Sequence, residues 1–141
     1  MRVFLDTNVL MDTIIHSRPS SEVSSRIVGL KQPVELSEFR FCVSSLSIAD
    51  LVYCSRKQLS KEYLLAKVEQ IRHSYRVLHF SEYNIYDALK SDCPYFEDAI
   101  QISIAESDAD VIITNDVRHF KGYTALEVVT PQEFLERISA D

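Results

Sequence analysis

No apolar run in this 141-residue chain approaches the roughly 20 residues that a membrane span requires, so no membrane association is expected. The amino terminus passes from Met1-Arg2 straight into a strand-like run, which leaves no room for a signal peptide. Cysteine is scarce: Cys42, Cys54 and Cys93 are odd in number and lack the spacing of metal ligands. Cys42 sits in an apolar run and reads as core, and the other two as incidental thiols, all suited to a reducing, cytoplasmic compartment. There is no excess of positive charge. The net charge of −6 argues against a simple nucleic-acid-binding module driven by phosphate attraction. Repeats and low-complexity stretches are also absent.

An apolar content of 46% is enough for one core, and the length fits one domain spanning residues 1–141. The chain alternates strand-like and helix-like segments. Arg2-Val3-Phe4-Leu5, Phe41-Cys42-Val43, Arg76 to Phe80, Val111 to Thr114 and Leu126 to Val129 read as five strands. Between them, Val23, Ile27 and Leu30 suit a helix that ends before Pro33 and the polar stretch to Arg40. Leu64, Val68, Ile71 and Tyr75 form a second helical stripe. Ser81 caps a helix carrying Ile85, Ala88 and Leu89, and residues 95–107 form another. Thr130-Pro131-Gln132-Glu133 opens the last with a capping box. This order implies an α/β fold of three α/β/α layers around a central, mainly parallel sheet of about five strands.

Positive charge is locally concentrated. From Arg56 to Arg76 there are six Lys or Arg against only Glu62 and Glu69, which reads first as a solvated helix face and second as a groove for a phosphate backbone.

Four acids stand at element boundaries, and each has an ordinary explanation. Asp6 can cap the helix that follows it, and Ser47-Ile48-Ala49-Asp50 resembles a capping arrangement. Glu97 and Asp98 begin a helix, where the macrodipole favours acids, and Asn115-Asp116 suits a turn. Together they say more. In a parallel sheet the carboxyl ends of the strands share one edge, where open α/β sheets bind ligands. Asp6 and Asp116 follow strand ends, Asp50 follows the second strand, and Asp98 shares a face with Ile102 and Ala105. Carboxylates gathered there repel unless a cation, usually a hard divalent one, sits among them.

The motifs Val3-Phe4-Leu5-Asp6-Thr7-Asn8-Val9-Leu10, Ser44-Ser45-Leu46-Ser47-Ile48-Ala49-Asp50-Leu51, Phe96-Glu97-Asp98-Ala99-Ile100-Gln101 and Ile112-Ile113-Thr114-Asn115-Asp116, followed by His119-Phe120, run in a specific order. In that order the chain resembles the PIN-domain ribonucleases, and among them the VapC-like toxins of toxin–antitoxin pairs. The resemblance implies a Mg²⁺- or Mn²⁺-dependent endoribonuclease acting on single-stranded RNA. It further implies Asp6, Asp98 and Asp116 as metal ligands, and Asp50 as a catalytic acid holding metal directly or through water. Asn8 and Thr114 match positions that orient the acids, and Glu97 is an accessory candidate. A homodimer and a small antitoxin partner are expected on the same ground.

One departure bears on activity. The family's second acid is usually Glu, and Asp50 is shorter by one methylene. Carboxylate–Mg²⁺ distances of about 2.1 Å leave little slack, so a backbone shift or a bridging water must absorb the difference. The alternative reading is a PIN scaffold with an impaired site that serves binding or assembly. Tyr53, Tyr63 and Tyr75 are candidates for stacking exposed bases, set against a partly buried core role.

Overall fold

The computed structural model describes residues 1–29 and 39–139. The strands are β1 (Arg2–Leu5), β2 (Arg40–Ser44), β3 (Arg76–Leu78), β4 (Val111–Ile113) and β5 (Glu127–Val129). They form one sheet in the order β3-β2-β1-β4-β5, and every neighbouring pair is parallel. The helices are α1 (Thr7–Ile14), α2 (Ser21–Gly29), α3 (Ser45–Ser55), α4 (Lys61–Ser74), α5 (Glu82–Lys90), α6 (Phe96–Glu106), α7 (Val117–Phe120) and α8 (Pro131–Ser139). The expected helical position Leu30 and the interruption at Pro33 lie outside the described residues.

Strand alternation sorts the core into two halves. Val3, Leu5, Val43, Val111, Ile113 and Val129 face α1 to α4 and α8, packing on Val9, Leu10, Ile27, Leu51, Leu64 and Phe134. Phe4, Cys42, Ile112 and Val128 face α5 to α7, packing on Ala88, Ile102, Ile104, Ala105 and Phe120. Helices on both faces explain why the strands are continuous apolar runs, and the expected three-layer α/β/α fold is what the chain adopts. Cys42 is core, as its surroundings implied.

The sheet order reverses direction between β1 and β4, and this is the position where doubly wound sheets open a crevice at their carboxyl edge. A buried polar hub braces that edge from below. Gln101 of α6 accepts from Ser44 Oγ at 2.7 Å and donates to Ser47 Oγ at 2.9 Å. Thr7 Oγ1 donates to Ser47 Oγ at 2.8 Å. The turns after β1 and β2 are thereby tied to α6 through side chains that are all satisfied, which burial demands.

Two local expectations need correction. Ser44, not Ser47, caps α3, because Ser47 N donates to Ser44 Oγ at 2.9 Å; Asp50 therefore lies inside the helix and caps nothing. In α5 the buried positions are Asn84 and Ala88, whereas Ile85 and Leu89 are exposed. Asn84 reaches Ser103 of α6 at 2.9 Å, so this helix docks through a hydrogen bond beside the buried Ala88. Tyr75 takes the partly buried core role weighed for it, packing edge-on against Phe41 with centroids 5.9 Å apart. The capping box of α8 forms as expected, with Glu133 N on Thr130 Oγ1 at 3.0 Å.

Candidate active site

The backbone of Asp6 extends β1 by one step, since Asp6 N donates to Ile113 O at 3.0 Å. Its side chain then caps α1 by accepting from Thr7 N at 2.8 Å. The ordinary explanation and the functional one coexist in this residue. Asp6 is only 5% exposed. Thr114 Oγ1 donates to Asp6 Oδ2 at 2.7 Å, and Asn8 Nδ2 donates to the same atom at 3.2 Å. Asn8 Nδ2 is also 3.2 Å from Asp116 Oδ2, while Asn8 Oδ1 accepts from Asn115 N at 3.2 Å. Asn8 and Thr114 thus span the crevice between β1 and β4 and hold Asp6 beside Asp116. Burial pushes the Asp6 carboxyl up to about 7, with the charges of Asp98 and Asp116 adding to the effect against the hydrogen bonds from Thr114 and Thr7.

Asp98 stands in the first turn of α6, half-buried, within electrostatic reach of Asp6 and Asp116. Burial raises its pKa, and His119 opposes the rise. His119 Nδ1 lies 2.8 Å from Asp98 Oδ2, and its ring is stacked on Tyr95, centroids 3.7 Å apart and planes 12° from parallel. Sequence reasoning assigned no role to His119, although His119-Phe120 closes the fourth motif.

Asp50 and Glu97 form the other half of the acidic edge. Asp50 Oδ2 is buried with no hydrogen-bond partner among the described residues. The Asp50 carboxyl beside it, first by close polar contact, then partial burial and the charges of Asp50, Asp98 and Asp6 hold the Glu97 carboxyl up at about 7.

A missed acid is Asp12, 1% exposed, on α1. It accepts from Arg18 Nε at 2.7 Å, Ser24 Oγ at 2.8 Å and Asn115 Nδ2 at 2.8 Å. Fully engaged with donors, Asp12 braces the turn that presents Asp116. The signal was in the sequence as an acid four residues after Asn8, on a helix whose other buried positions are apolar.

Among the described residues, no three His, Cys, Asp or Glu side chains converge on one point closely enough to hold an ion. The donor chemistry still fits a hard divalent cation. The candidates are all carboxylate oxygens, three of them carry raised pKa values, and Asp50 Oδ2 is a buried acceptor without a donor among the described residues.

The PIN domain family matches residues 2–118. The chain belongs to the PIN domain family. No curated protein sequence matches it. Among solved structures, this PIN domain is similar to DNA-bound VapBC from Salmonella typhimurium, at 23% identity with a TM-score of 0.64, covering 93% of this chain and 98% of that one. It is also similar to VapBC2 from Rickettsia felis bound to a promoter DNA fragment, at 19% identity and a TM-score of 0.64, covering 91% and 97%. A third is VapC20 of Mycobacterium tuberculosis, described as a Sarcin-Ricin loop cleaving toxin, at 15% identity and a TM-score of 0.62, covering 78% and 86%. These likenesses establish the shared fold. The expected membership of the PIN family, with neighbours among VapC toxins, is borne out.

Proposed function

We propose that this PIN domain is the ribonuclease toxin of a toxin–antitoxin pair, a Mg²⁺- or Mn²⁺-dependent endonuclease acting on single-stranded RNA in the cytoplasm. The observation that carries the reading is Asp6: a buried carboxyl at the strand-order switch, held by Thr114 and Asn8 beside Asp98 and Asp116. Such a group is costly unless a cation or a proton neutralises it. Asp6, Asp98 and Asp116, with Asp50 directly or through water, would hold the ion. When bound, a divalent cation supplies charge for a phosphate oxygen and promotes ionisation of an attacking water.

The chain's own groups do the rest. Asn8 and Thr114 fix the orientation of Asp6, and His119 fixes that of Asp98. The Asp50–Glu97 pair offers a carboxyl that exchanges its proton near neutral pH, where a general base works best. A hydrolytic cut by in-line attack would leave a 5′-phosphate and a 3′-hydroxyl. The antitoxin is supported by the VapBC complexes among the structural neighbours and RNA by the Sarcin-Ricin loop cleaving VapC20, while the homodimer follows from the family resemblance alone.

The test is cleavage of a mixed single-stranded RNA pool with Mg²⁺, Mn²⁺ or EDTA, wild type beside Asp6→Asn and Asp50→Glu. Cutting that requires metal and disappears in Asp6→Asn is the expected result. An inert wild type that gains activity as Asp50→Glu would favour the second reading, an impaired scaffold for binding or assembly, for which the short Asp50 side chain is the specific observation. Full activity in the presence of one equivalent of a cognate antitoxin, or a monomeric mass at micromolar concentration, would count against the partner assignments.

A further inference from the structure

The first turn of α6 and the short α7 bring an open aromatic surface against the acidic edge. Tyr95 is 44% exposed and the neighbouring Phe96 is 49% exposed; Tyr53, Tyr83 and Tyr86 are more exposed, but only Tyr95 is joined through a stacked ring to an acid of the crevice among the described residues. Tyr95 is stacked nearly parallel on His119, and His119 is bonded directly to Asp98. The stack is therefore joined to a proposed metal ligand by one hydrogen bond. Beside it, α7 and the residue after it carry Arg118 and Lys121, both exposed and without an ion pair among the described residues. In a chain of net charge −6, these two cations lie on the segment that carries His119 and offer positive charge there to a phosphate backbone.

The geometry points to the Tyr95–His119 stack as a nucleobase platform. A base of single-stranded RNA next to the scissile phosphate lies on the exposed aromatic surface of Tyr95, with Arg118 and Lys121 on the flanking phosphates. This inference rests on the ribonuclease reading and deepens it. Every base has a π-face, so such a platform selects unstacked, single-stranded nucleotides over paired ones without reading sequence. It differs from the more exposed Tyr53, whose stacking partner Arg56 makes no bond to an acid of the crevice among the described residues, and from Tyr75, which is core.

Binding of a fluorescent single-stranded RNA, measured by anisotropy in EDTA so that no cleavage occurs, tests the platform with full-length wild type, Tyr95→Phe and Tyr95→Ala. The same oligonucleotide with single abasic positions around the mapped cut site completes the comparison. Base–aromatic stacking predicts binding weakened roughly 5- to 150-fold in Tyr95→Ala, and little changed in Tyr95→Phe. One abasic position should weaken wild type by a similar factor and leave Tyr95→Ala unaffected. A platform that only positions His119 would lower the cleavage rate on intact and abasic RNA alike and leave binding unchanged; that outcome overturns the proposal. Equal binding by wild type and Tyr95→Ala overturns the platform while leaving the nuclease reading standing. Wild type that neither binds nor cuts RNA overturns both.

Discussion

Asn115 Nδ2 donates to Asp12 Oδ2 at 2.8 Å, so an acid outside the carboxylate cluster anchors the turn that carries Asp116. The same carboxylate takes Arg18 and Ser24 and links the loop between α1 and α2 to the active-site edge. One buried charge with three donors is structural in role.

Asp12→Ala would leave Arg18, Ser24 and Asn115 without their acceptor. Breaking a buried ion pair in this way costs about 3 kcal/mol, at the lower end of the usual range because Arg18 is partly exposed. Urea unfolding measures it. A loss of less than about 1 kcal/mol would mean that the network adds little to the fold.

Asp6 predicts a pH dependence with a definite sign. Its folded pKa of about 7 lies above the ordinary 3.8, so its contribution to stability is fully present below about pH 4 and is lost as pH rises through 7. In EDTA, Asp6→Asn should therefore melt above wild type at pH 8, by up to roughly 4 kcal/mol, with the gap closing toward pH 4. A gap that is flat with pH would show that the Asp6 carboxyl is not desolvated as its surroundings imply.

Asp50 acts on the Glu97 carboxyl, and on the function proposed above Glu97 makes good the methylene that Asp50 lacks. Glu97→Ala should lower metal-dependent cleavage at least about ten-fold, in line with loss of a general base or of a ligand's partner. Asp50→Glu introduced into Glu97→Ala should recover most of that loss. Undiminished activity in Glu97→Ala would remove Glu97 from the site.

Gln101 is buried and bonded on both sides of its amide to Ser44 and Ser47. Gln101→Ala leaves a cavity and two hydroxyls without that partner, and should cost about 2–4 kcal/mol in chemical unfolding. Gln101→Leu should cost nearly as much, because it restores volume but not the hydrogen bonds. Full stability in Gln101→Leu would show that packing alone sustains the two turns.

Much of this arrangement is legible in the residues. Asp6 and Asp116 follow apolar runs that can only be buried strands, and a parallel sheet sends both to one edge. Asp98 is legible as half-buried from its offset to Ile102 and Ala105. Pairwise partnership is not legible, because it depends on how helices from distant segments are rotated and docked. Asp50 looked like a member of a cap because Ser47 stands three residues before it. Ser44 captures the Ser47 N–H instead, and Asp50 turns toward Glu97. Ile85 and Leu89 have helical spacing, yet α5 turns Asn84 and Ala88 inward, with Asn84 bonded to Ser103. Asp12 and His119 act through residues 103 and 21 positions away, at Asn115 and Asp98, and no local pattern carries that information.

The sheet order has a consequence for synthesis. β1 lies between β2 and β4, and one wall of the acidic crevice arrives only with Val111 to Asp116. A growing polypeptide that has emerged as far as α5 holds Asp6 and Asp50 but has no Thr114 to orient Asp6 and no Asp116 opposite it. Long-range parallel pairing is also slow to form. On the reading proposed above, the carboxylates that would hold the ion come together only after β4 and Asp116 have been made, because Asn8 reaches Asp116 across the β1–β4 pairing.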